Sequence, residues 1–230
     1  MKTCLTPLQI EPWSAEREWT VEGIPVLTAR LKVPSPTGKD AVCRRIRRYY
    51  RVQARAFLRY CERQLFPQAQ AEYHAALAVS APLPCFHAAL SYHVTYQEGP
   101  LWSLYTQSCE TLSPSAAPYL TRWGDTWDLS SGYPVPLSAF FPYGHWRQQL
   151  LVLAEEDIRR RQRIGMAYDP QWQKRLRRSF NPRNYYLTED ALAFFLPMYA
   201  IAPPSAGIPV FTVPYGSYGL TLPEANTPMQ

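Results

Sequence analysis

The stretch that decides the fold is residues 199–215, YAIAPPSAGIPVFTVPY. Four prolines fall within twelve positions, a density typical of a linker or a tail. The same stretch carries apolar β-branched and aromatic side chains that a solvated linker has no reason to contain: Ile201, Ile208, Val210, Phe211 and Val213. The apolar content favours a segment that packs inside the fold.

This stretch contains the residues needed to shape an ordered turn and a strand. Gly207 can adopt a backbone conformation that other residues avoid, and Pro203 and Pro204 restrict the approach to extended geometry. Residues 208–213 are predicted to form a strand, with Pro209 at its edge or its start. Only the chain after about Gly219 is expected to be loose.

The elements that precede this stretch are two short strands and two helices. Strands are predicted at 184–187 and 191–196, with a turn at 188–190. A helix over about 143–163 places an apolar face toward the core, and a short basic helix follows at 170–180. The apolar face of the longer helix is formed by Trp146, Leu150, Leu153, Ala154 and Ile158.

The N-terminal half alternates strands with the clearest helix of the chain. Residues 18–33 predict a strand pair that turns at Glu22 and Gly23, and a helix is predicted from about 40 to 66. A second helical stretch (68–80), a hairpin (85–96 and 101–110), a strand (119–129), a turn (130–132) and a short turn capped by Ser138 follow. The sequence therefore predicts an α+β fold, an antiparallel sheet built from hairpins and packed against two or three amphipathic helices. No βαβ rhythm or repeat is visible.

Composition excludes several classes of protein. With 47% hydrophobic and 14% aromatic residues among 230, the chain is not globally disordered. No run approaches the roughly 20 apolar residues of a membrane helix, and the first residues do not resemble a secretory signal. If Met1 is the native start, a cytoplasmic protein is expected.

The five cysteines do not predict a disulfide framework or a zinc ribbon. Their number is odd and no CxxC pair occurs. Cys43 and Cys61 lie on one predicted helix about 27 Å apart, too far to bond. All five are interpreted as reduced, mostly buried thiols.

Arginine dominates the net charge of +6, since only four of the 24 basic residues are lysine. On the long helix, an apolar face that includes Ile46, Tyr49 and Tyr60 lies opposite a row of arginines: Arg44, Arg48, Arg51, Arg55, Arg59 and Arg63. This row predicts an anion-binding surface for nucleic acid or another anionic partner. The candidate anion-binding residues are Arg44, Arg48, Arg51, Arg55 and Arg59. The alternative is a solvated helix face whose arginines pair with acids elsewhere. Interleaved exposed aromatic residues and known nucleic-acid-binding signatures are not apparent.

No catalytic or metal-binding pattern is visible. His87 and His93 are predicted to lie about 20 Å apart along a strand, and the sequence holds no zinc-protease, phosphate-loop or nucleophile-elbow motif. The acidic group Glu155, Glu156 and Asp157 sits beside arginines on a helix, which indicates intrahelical ion pairs. The sequence predicts a protein that is not an enzyme, with no metal and no cofactor.

The C-terminal half resembles a family. NYYLTEDALAFFLPMYAIAPPSAGIPVFTVPY (184–215) is similar to the signature that ends a bacterial domain of unknown function, and residues 124–141 resemble its other hallmark. This domain occurs in RsiV-type anti-sigma factors and PdaC-type peptidoglycan deacetylases. The resemblance implies one compact domain over 15–216, with a companion unit at 15–112 and a signature-bearing unit at 113–216. The ends, 1–14 and 217–230, are expected to be flexible.

In that family the unit is a binding or accessory module, which leads to three hypotheses. The first is a non-catalytic binding domain for a protein or a ligand related to the cell envelope. Its expected contact residues are Tyr105, Arg122, Trp123, Tyr199, Pro203, Pro204 and Ser205. The second is a nucleic-acid or anionic-surface binder that uses the arginine row, and the third is a cryptic cell-wall hydrolase.

Overall fold

The computed structural model of the chain describes residues 8–112, 117–141 and 144–222. These residues form an α+β fold, as predicted from the sequence. The strands are β1 (Ile10–Val21), β2 (Ile24–Pro36), β3 (Phe86–Glu98), β4 (Leu101–Thr111), β5 (Tyr119–Asp128), β6 (Tyr133–Pro134), β7 (Tyr185–Leu187), β8 (Ala191–Phe195) and β9 (Val210–Pro214). The helices are α1 (Ala41–Tyr60), α2 (Phe66–Ala78), α3 (Trp146–Arg163) and α4 (Trp172–Ser179).

The strands form two sheets. A six-stranded sheet has the order β1-β2-β3-β4-β5-β6, and a three-stranded sheet has the order β7-β8-β9. The β1–β2 pair is antiparallel, and its turn has positive φ angles at Glu22 (52°) and Gly23 (80°). Two such residues make the tight turn whose twist matches that of the flanking strands. The predicted hairpin at these residues is confirmed.

Within this fold, one strand pair of the six-stranded sheet is parallel and is not joined by a hairpin. β2 and β3 run parallel, with Leu27 opposite Phe86 and Leu31 opposite Leu90. The helical segment between them returns the chain to the end of the sheet from which β2 started, as a parallel pair requires. A single crossover of this kind does not produce a repeating βαβ rhythm in the sequence.

The predicted long helix does not stop before Pro67. α1 continues through a five-residue π-helical segment, Cys61–Leu65, directly into α2. Buried residues recur every four positions here, at Cys61, Leu65, Ala69 and Tyr73. Because an α-helix has 3.6 residues per turn, this repeat would drift around the helix, and a wider π turn corrects it. The π turn also accommodates Pro67, which has no N–H to donate.

The chain divides into two compact units that are not consecutive in sequence. Among the described residues, one unit contains 9–92, 106–112 and 117–120, and the other contains residues 8, 93–105, 121–141 and 144–222. The sequence instead predicts consecutive units at 15–112 and 113–216. The two divisions differ because β3, β4 and β5 each contribute residues to both units. β1 begins at Ile10, inside the end that was expected to be flexible.

In the first unit, the helical segment packs one face against β2. Ile46, Tyr50 and Phe57 are buried on that face. Burial raises the pKa of the Cys43 thiol to about 11 and that of Cys61 to about 12, so both stay protonated at neutral pH. Both are free thiols, as are Cys85 and Cys109, while Cys4 lies outside the described residues.

The same helix contradicts one assignment made from the sequence. Helical spacing predicts that Tyr49 and Tyr60 lie on the apolar face, but their side chains are 41% and 38% exposed. A projection at about 100° per residue puts both near the boundary of that face, where the sequence cannot decide burial.

The core of the second unit lies between the three-stranded sheet and the helices α3 and α4. Leu150, Ala154 and Ile158 are fully buried on α3, as their spacing predicts. Trp172 and Leu176 of α4 lie in the same cluster, which also contains Phe194, Phe211 and Leu220. The predicted cap at Ser138 is wrong, since Pro136 precedes the 3₁₀ turn Leu137–Phe140 and no side chain caps it.

The proline-rich stretch 199–215 belongs to this core. Ile201 and Val213 are fully buried, and Gly207 has a positive φ of 67°. The Leu196 N–H donates to the Pro209 carbonyl just before β9 begins. The stretch is therefore an ordered part of the fold, as expected. Leu220 is also buried, inside the segment 217–230 that was expected to be a flexible end, and residues 223–230 lie outside the described part.

Candidate ligand-binding surface

The three-stranded sheet has two faces with different roles. Along β7, Tyr185 and Leu187 point into the helix-covered core, while Tyr186 points to the opposite face. On that opposite face, Tyr186 clusters with Ala193 and Phe195 of β8. Because side chains alternate along a strand, Tyr185 lies on the face that packs in the core with α3 and α4, and Tyr186 lies on the opposite face.

Two small residues let β4 and β5 reach this sheet. At Gly124 a Cβ atom would lie 1.9 Å from the carbonyl oxygen of Tyr185, so only glycine permits this approach. The hydroxyl of Ser103 accepts a hydrogen bond from the Leu187 N–H at 2.8 Å and lies 2.8 Å from the Thr126 hydroxyl. These contacts fix β4 and β5 against β7, and they place Tyr105 and Arg122 beside Tyr186.

An arginine stacked on aromatic rings is the central feature of this face. The Arg122 guanidinium carbon lies 4.1 Å from the Tyr105 ring centroid and within 6 Å of the rings of Tyr186 and Phe195. An Arg122 N–H also donates to the Tyr186 hydroxyl at 3.4 Å. We call Tyr105, Arg122, Tyr186 and Phe195 the Arg122 cluster. A stacked guanidinium keeps its planar donors directed sideways, in the geometry that matches a carboxylate.

The cluster combines a buried base with a partly accessible rim. Tyr186 and Phe195 are buried, whereas Tyr105 and Arg122 are half-buried. Burial raises the pKa of the Tyr186 hydroxyl, and the Arg122 charge opposes that shift, so Tyr186 remains a neutral hydroxyl at pH 7. His93 is exposed, and its ring centroid lies 5.5 Å from that of Tyr105. The rim therefore presents a cation, a phenol and an imidazole.

Seven residues are predicted for ligand binding. Two of them, Tyr105 and Arg122, contact each other in the Arg122 cluster. Trp123 is 40% exposed, and alternation along β5 directs it away from Arg122. Tyr199 is 44% exposed and has a positive φ of 66°. Pro203, Pro204 and Ser205 are exposed. The turn that they form leads to Ile208, which packs against the cluster that contains Tyr186, Ala193 and Phe195. Sequence reasoning missed Tyr186 and Phe195, although alternation in β7 and β8 was a usable signal.

The predicted anion-binding arginines have a different setting. Arg44, Arg48, Arg51, Arg55 and Arg59 are all exposed on α1. Arg44 donates to the Lys39 carbonyl. Within the described part of the chain, none of these five guanidinium groups forms an ion pair with a carboxylate.

Three arginines of α3 form ion pairs with acids of the same helix, as the sequence predicts: Arg159, Arg160 and Arg161. Asp157 accepts from Arg160 and from Arg161, the latter at 2.5 Å. Glu155 pairs with Arg159 at 3.3 Å and with Arg177 of α4 at 3.0 Å. Arg161 also donates to the Val210 carbonyl at 2.9 Å, beside an open groove of about 590 Å³ between α3 and β9. These acids act as ion-pair partners in the structure.

Other features bear on chemistry and on membranes. Over residues 8–112, 117–141 and 144–222, no group of three or more His, Cys, Asp or Glu side chains could hold a metal ion. In those same ranges, no helix has the length and apolar character needed to cross a membrane.

The C-terminal part of the chain matches the model of a known protein family. Residues 139–216 match the model of a family described as a protein of unknown function, DUF3298. This match covers the stretch 199–215 and the elements α3, α4 and β7–β9. The match confirms that residues 139–216 resemble a domain of unknown function, while the signature and the link to RsiV-type and PdaC-type proteins stay predictions. No curated protein matches the chain.

Two solved structures have similar folds over most of the chain. A DUF3298-family protein from Bacteroides fragilis is 15% identical, with a TM-score of 0.63 and 90% of both chains covered. A DUF3298-family protein from Pseudomonas aeruginosa is 19% identical, with a TM-score of 0.59, 91% of this chain and 92% of the other covered. At these identities the likeness shows the fold alone.

Proposed function

We propose that the protein is a non-catalytic binding protein whose recognition surface is the rim of the Arg122 cluster and the adjoining turn at residues 203–205. The observation that carries this proposal is the Arg122 guanidinium held 4.1 Å above the Tyr105 ring at a half-buried position. A side chain held in place by stacking loses little freedom when it binds, which favours affinity.

The chemistry of this rim favours a ligand that carries a carboxylate. A guanidinium pairs with a carboxylate through two parallel hydrogen bonds, and a neighbouring aromatic ring adds apolar contact. Acidic segments of proteins and the stem peptides of peptidoglycan both offer carboxylates. Either ligand agrees with the sequence-based expectation of a protein or cell-envelope partner, and the resemblance to accessory modules of the cell envelope supports it.

A test uses soluble muropeptides with a free stem-peptide carboxylate, measured by isothermal titration calorimetry. We expect Arg122→Gln to weaken binding at least tenfold, because a hydrogen bond to a charged group contributes about 1.5–3 kcal/mol. Arg183→Gln is the matched control, since Arg183 is exposed and its substitution removes the same charge. Muropeptides with an amidated carboxylate should bind the original protein as weakly as the free acid binds the Arg122→Gln variant.

Two results would contradict this proposal. Equal binding by the Arg122→Gln and Arg183→Gln variants would show that Arg122 only covers the sheet. Conversion of the muropeptides, analysed by chromatography with and without divalent metal ions, would show an enzyme and support the cell-wall hydrolase hypothesis instead.

A further inference from the structure

The α1 surface that faces away from β2 carries two adjacent rows of side chains. The first is the arginine row, defined here as Arg44, Arg48, Arg51, Arg55 and Arg59. The second is an exposed apolar row, defined as Tyr49, Val52, Ala56 and Tyr60. At about 100° per residue the apolar row runs directly beside the arginine row.

The arginine row is a linear positive surface without internal neutralisation. Its members repeat at about one helical turn and span about 22 Å at 1.5 Å per residue. Repulsion between like charges at these spacings lowers the stability of a helix, so the arginine row does not by itself stabilise α1. The acids of this segment do not neutralise the row: Asp40 accepts from the Cys43 N–H at the start of α1, and Glu62 lies beyond its end.

The apolar row supplies an aromatic surface that helical spacing alone does not predict. Tyr49 is 41% exposed, Val52 is 52% exposed and Tyr60 is 38% exposed. The Tyr60 hydroxyl donates to Glu110 of β4 at 2.9 Å, which fixes the ring in position. The Tyr49 ring meets Tyr50 edge-on at 5.0 Å, and Tyr50 is fully buried. Both exposed rings are therefore held by the core of this unit.

We propose that this surface of α1 binds single-stranded nucleic acid, with the arginine row on the phosphates and Tyr49 and Tyr60 stacking on bases. A positive track beside aromatic rings is the arrangement by which proteins bind single strands without sequence preference. A duplex hides its base faces, so it offers nothing for the two rings to stack on. This surface is independent of the Arg122 cluster.

The test measures the anisotropy of a fluorescein-labelled dT 20-mer across a salt titration. Five phosphate contacts predict a slope of log affinity against log salt of roughly −3.5. Replacing Arg48, Arg51, Arg55 and Arg59 by Gln should weaken binding more than tenfold and flatten the slope to about −0.7. The matched control replaces Lys32, Arg163, Arg178 and Arg183 by Gln, which removes the same charge elsewhere and should change the slope little. Circular dichroism of both variants checks folding.

A separate substitution tests whether Tyr49 stacks on a base. Tyr49→Ala should weaken binding about five- to tenfold without changing the salt slope, because the loss of one stacked base does not alter the number of phosphate contacts. The Arg122→Gln variant should bind the oligonucleotide as the original protein does, which separates this proposal from the one above.

Several outcomes would overturn the inference. Affinity that is constant across salt, or equal slopes for the two quadruple variants, would remove the arginine row from the contact. Polyglutamate competing as well as dT at equal charge would show a general polyanion surface, without base stacking. Binding to vesicles that contain phosphatidylserine, with no binding to dT, would assign the row to a lipid surface.

Discussion

Helices α1 and α3 are both rich in arginine, but they use it in opposite ways. On α3, Glu155 and Asp157 each accept from two arginines, and one of these arginines belongs to α4. On α1, the arginine row has no carboxylate within ion-pairing distance in the described residues. Arginine serves internal cohesion in the first case and leaves an outward positive surface in the second.

The difference shows that the count of arginines does not indicate their role. Asp157 is only 11% exposed, and Arg161 links it to the Val210 carbonyl. An ion pair in such a setting is screened less by water than an exposed pair. The arginine row of α1 is exposed to solvent and has no carboxylate within ion-pairing distance among the described residues. Three substitutions test how the charged groups around these two helices affect stability, and they follow from the largest expected effect to the smallest.

Removing the acid of α3 should have the largest effect. Asp157→Ala leaves Arg160 and Arg161 without their carboxylate, so we expect the free energy of unfolding to fall by about 1–2 kcal/mol. Urea denaturation measures this loss. The neighbouring Glu156→Ala is the matched control, because Glu156 is exposed and has no ion pair among the described residues. Equal losses for the two variants would mean that the ion pairs of Asp157 contribute nothing.

A smaller, pH-dependent effect is expected at Glu110, which contacts α1 through Tyr60 and not through an arginine. Burial raises the pKa of this carboxyl above its ordinary value of 4.5. The folded state therefore holds the proton more tightly than the unfolded state, and ionisation above pH 4.5 costs stability. Glu110→Gln should match the original protein near pH 4 and exceed it increasingly toward pH 7, as thermal unfolding at each pH would show.

Glu62→Gln is the control for Glu110, since Glu62 is exposed and its substitution should show no such trend with pH. In the Glu110→Gln variant, the Tyr60 hydroxyl can still donate to the amide oxygen of the new side chain, so the hydrogen bond is kept. A stability difference that is constant from pH 4 to pH 7 would contradict the assigned burial cost.

The smallest effect should come from placing a carboxylate among the arginines of α1, as α3 has among its own. Arg51→Glu places a carboxylate three residues after Arg48 and four before Arg55, which replaces two repulsions by two attractions. We expect the free energy of unfolding to rise by about 0.5–1 kcal/mol. Arg51→Gln, which only removes the repulsions, should give about half of that gain. A loss of stability in both variants would show that Arg51 already has a stabilising role.

The local patterns allowed much of the fold to be predicted. Alternation and turn residues located the β1–β2 hairpin, and helical spacing located the buried residues Leu150, Ala154 and Ile158. These signals are local, because each depends on residues a few positions apart. The π turn at residues 61–65 follows from a four-residue repeat and from Pro67, yet such repeats also occur in ordinary helices.

The candidate sites were less predictable, because they depend on contacts between distant segments. Tyr105 and Arg122 were named from the sequence, but Tyr186 and Phe195, which complete the cluster, lie more than sixty residues further along the chain than Arg122. The exposure of Tyr49 and Tyr60 depends on how the helix is rotated against β2. A residue at the boundary of an apolar face is buried or exposed according to that rotation alone.

By itself, the sequence determined that the stretch 199–215 is ordered, since its apolar residues require burial and its glycine and prolines define a turn. It also determined the linear arginine row, because helical spacing fixes which residues share a face. Only the tertiary structure decided the parallel β2–β3 pair, the stacking of Arg122 on Tyr105, and which arginines meet a carboxylate. Those outcomes depend on distances between segments far apart in the chain, which no local pattern encodes.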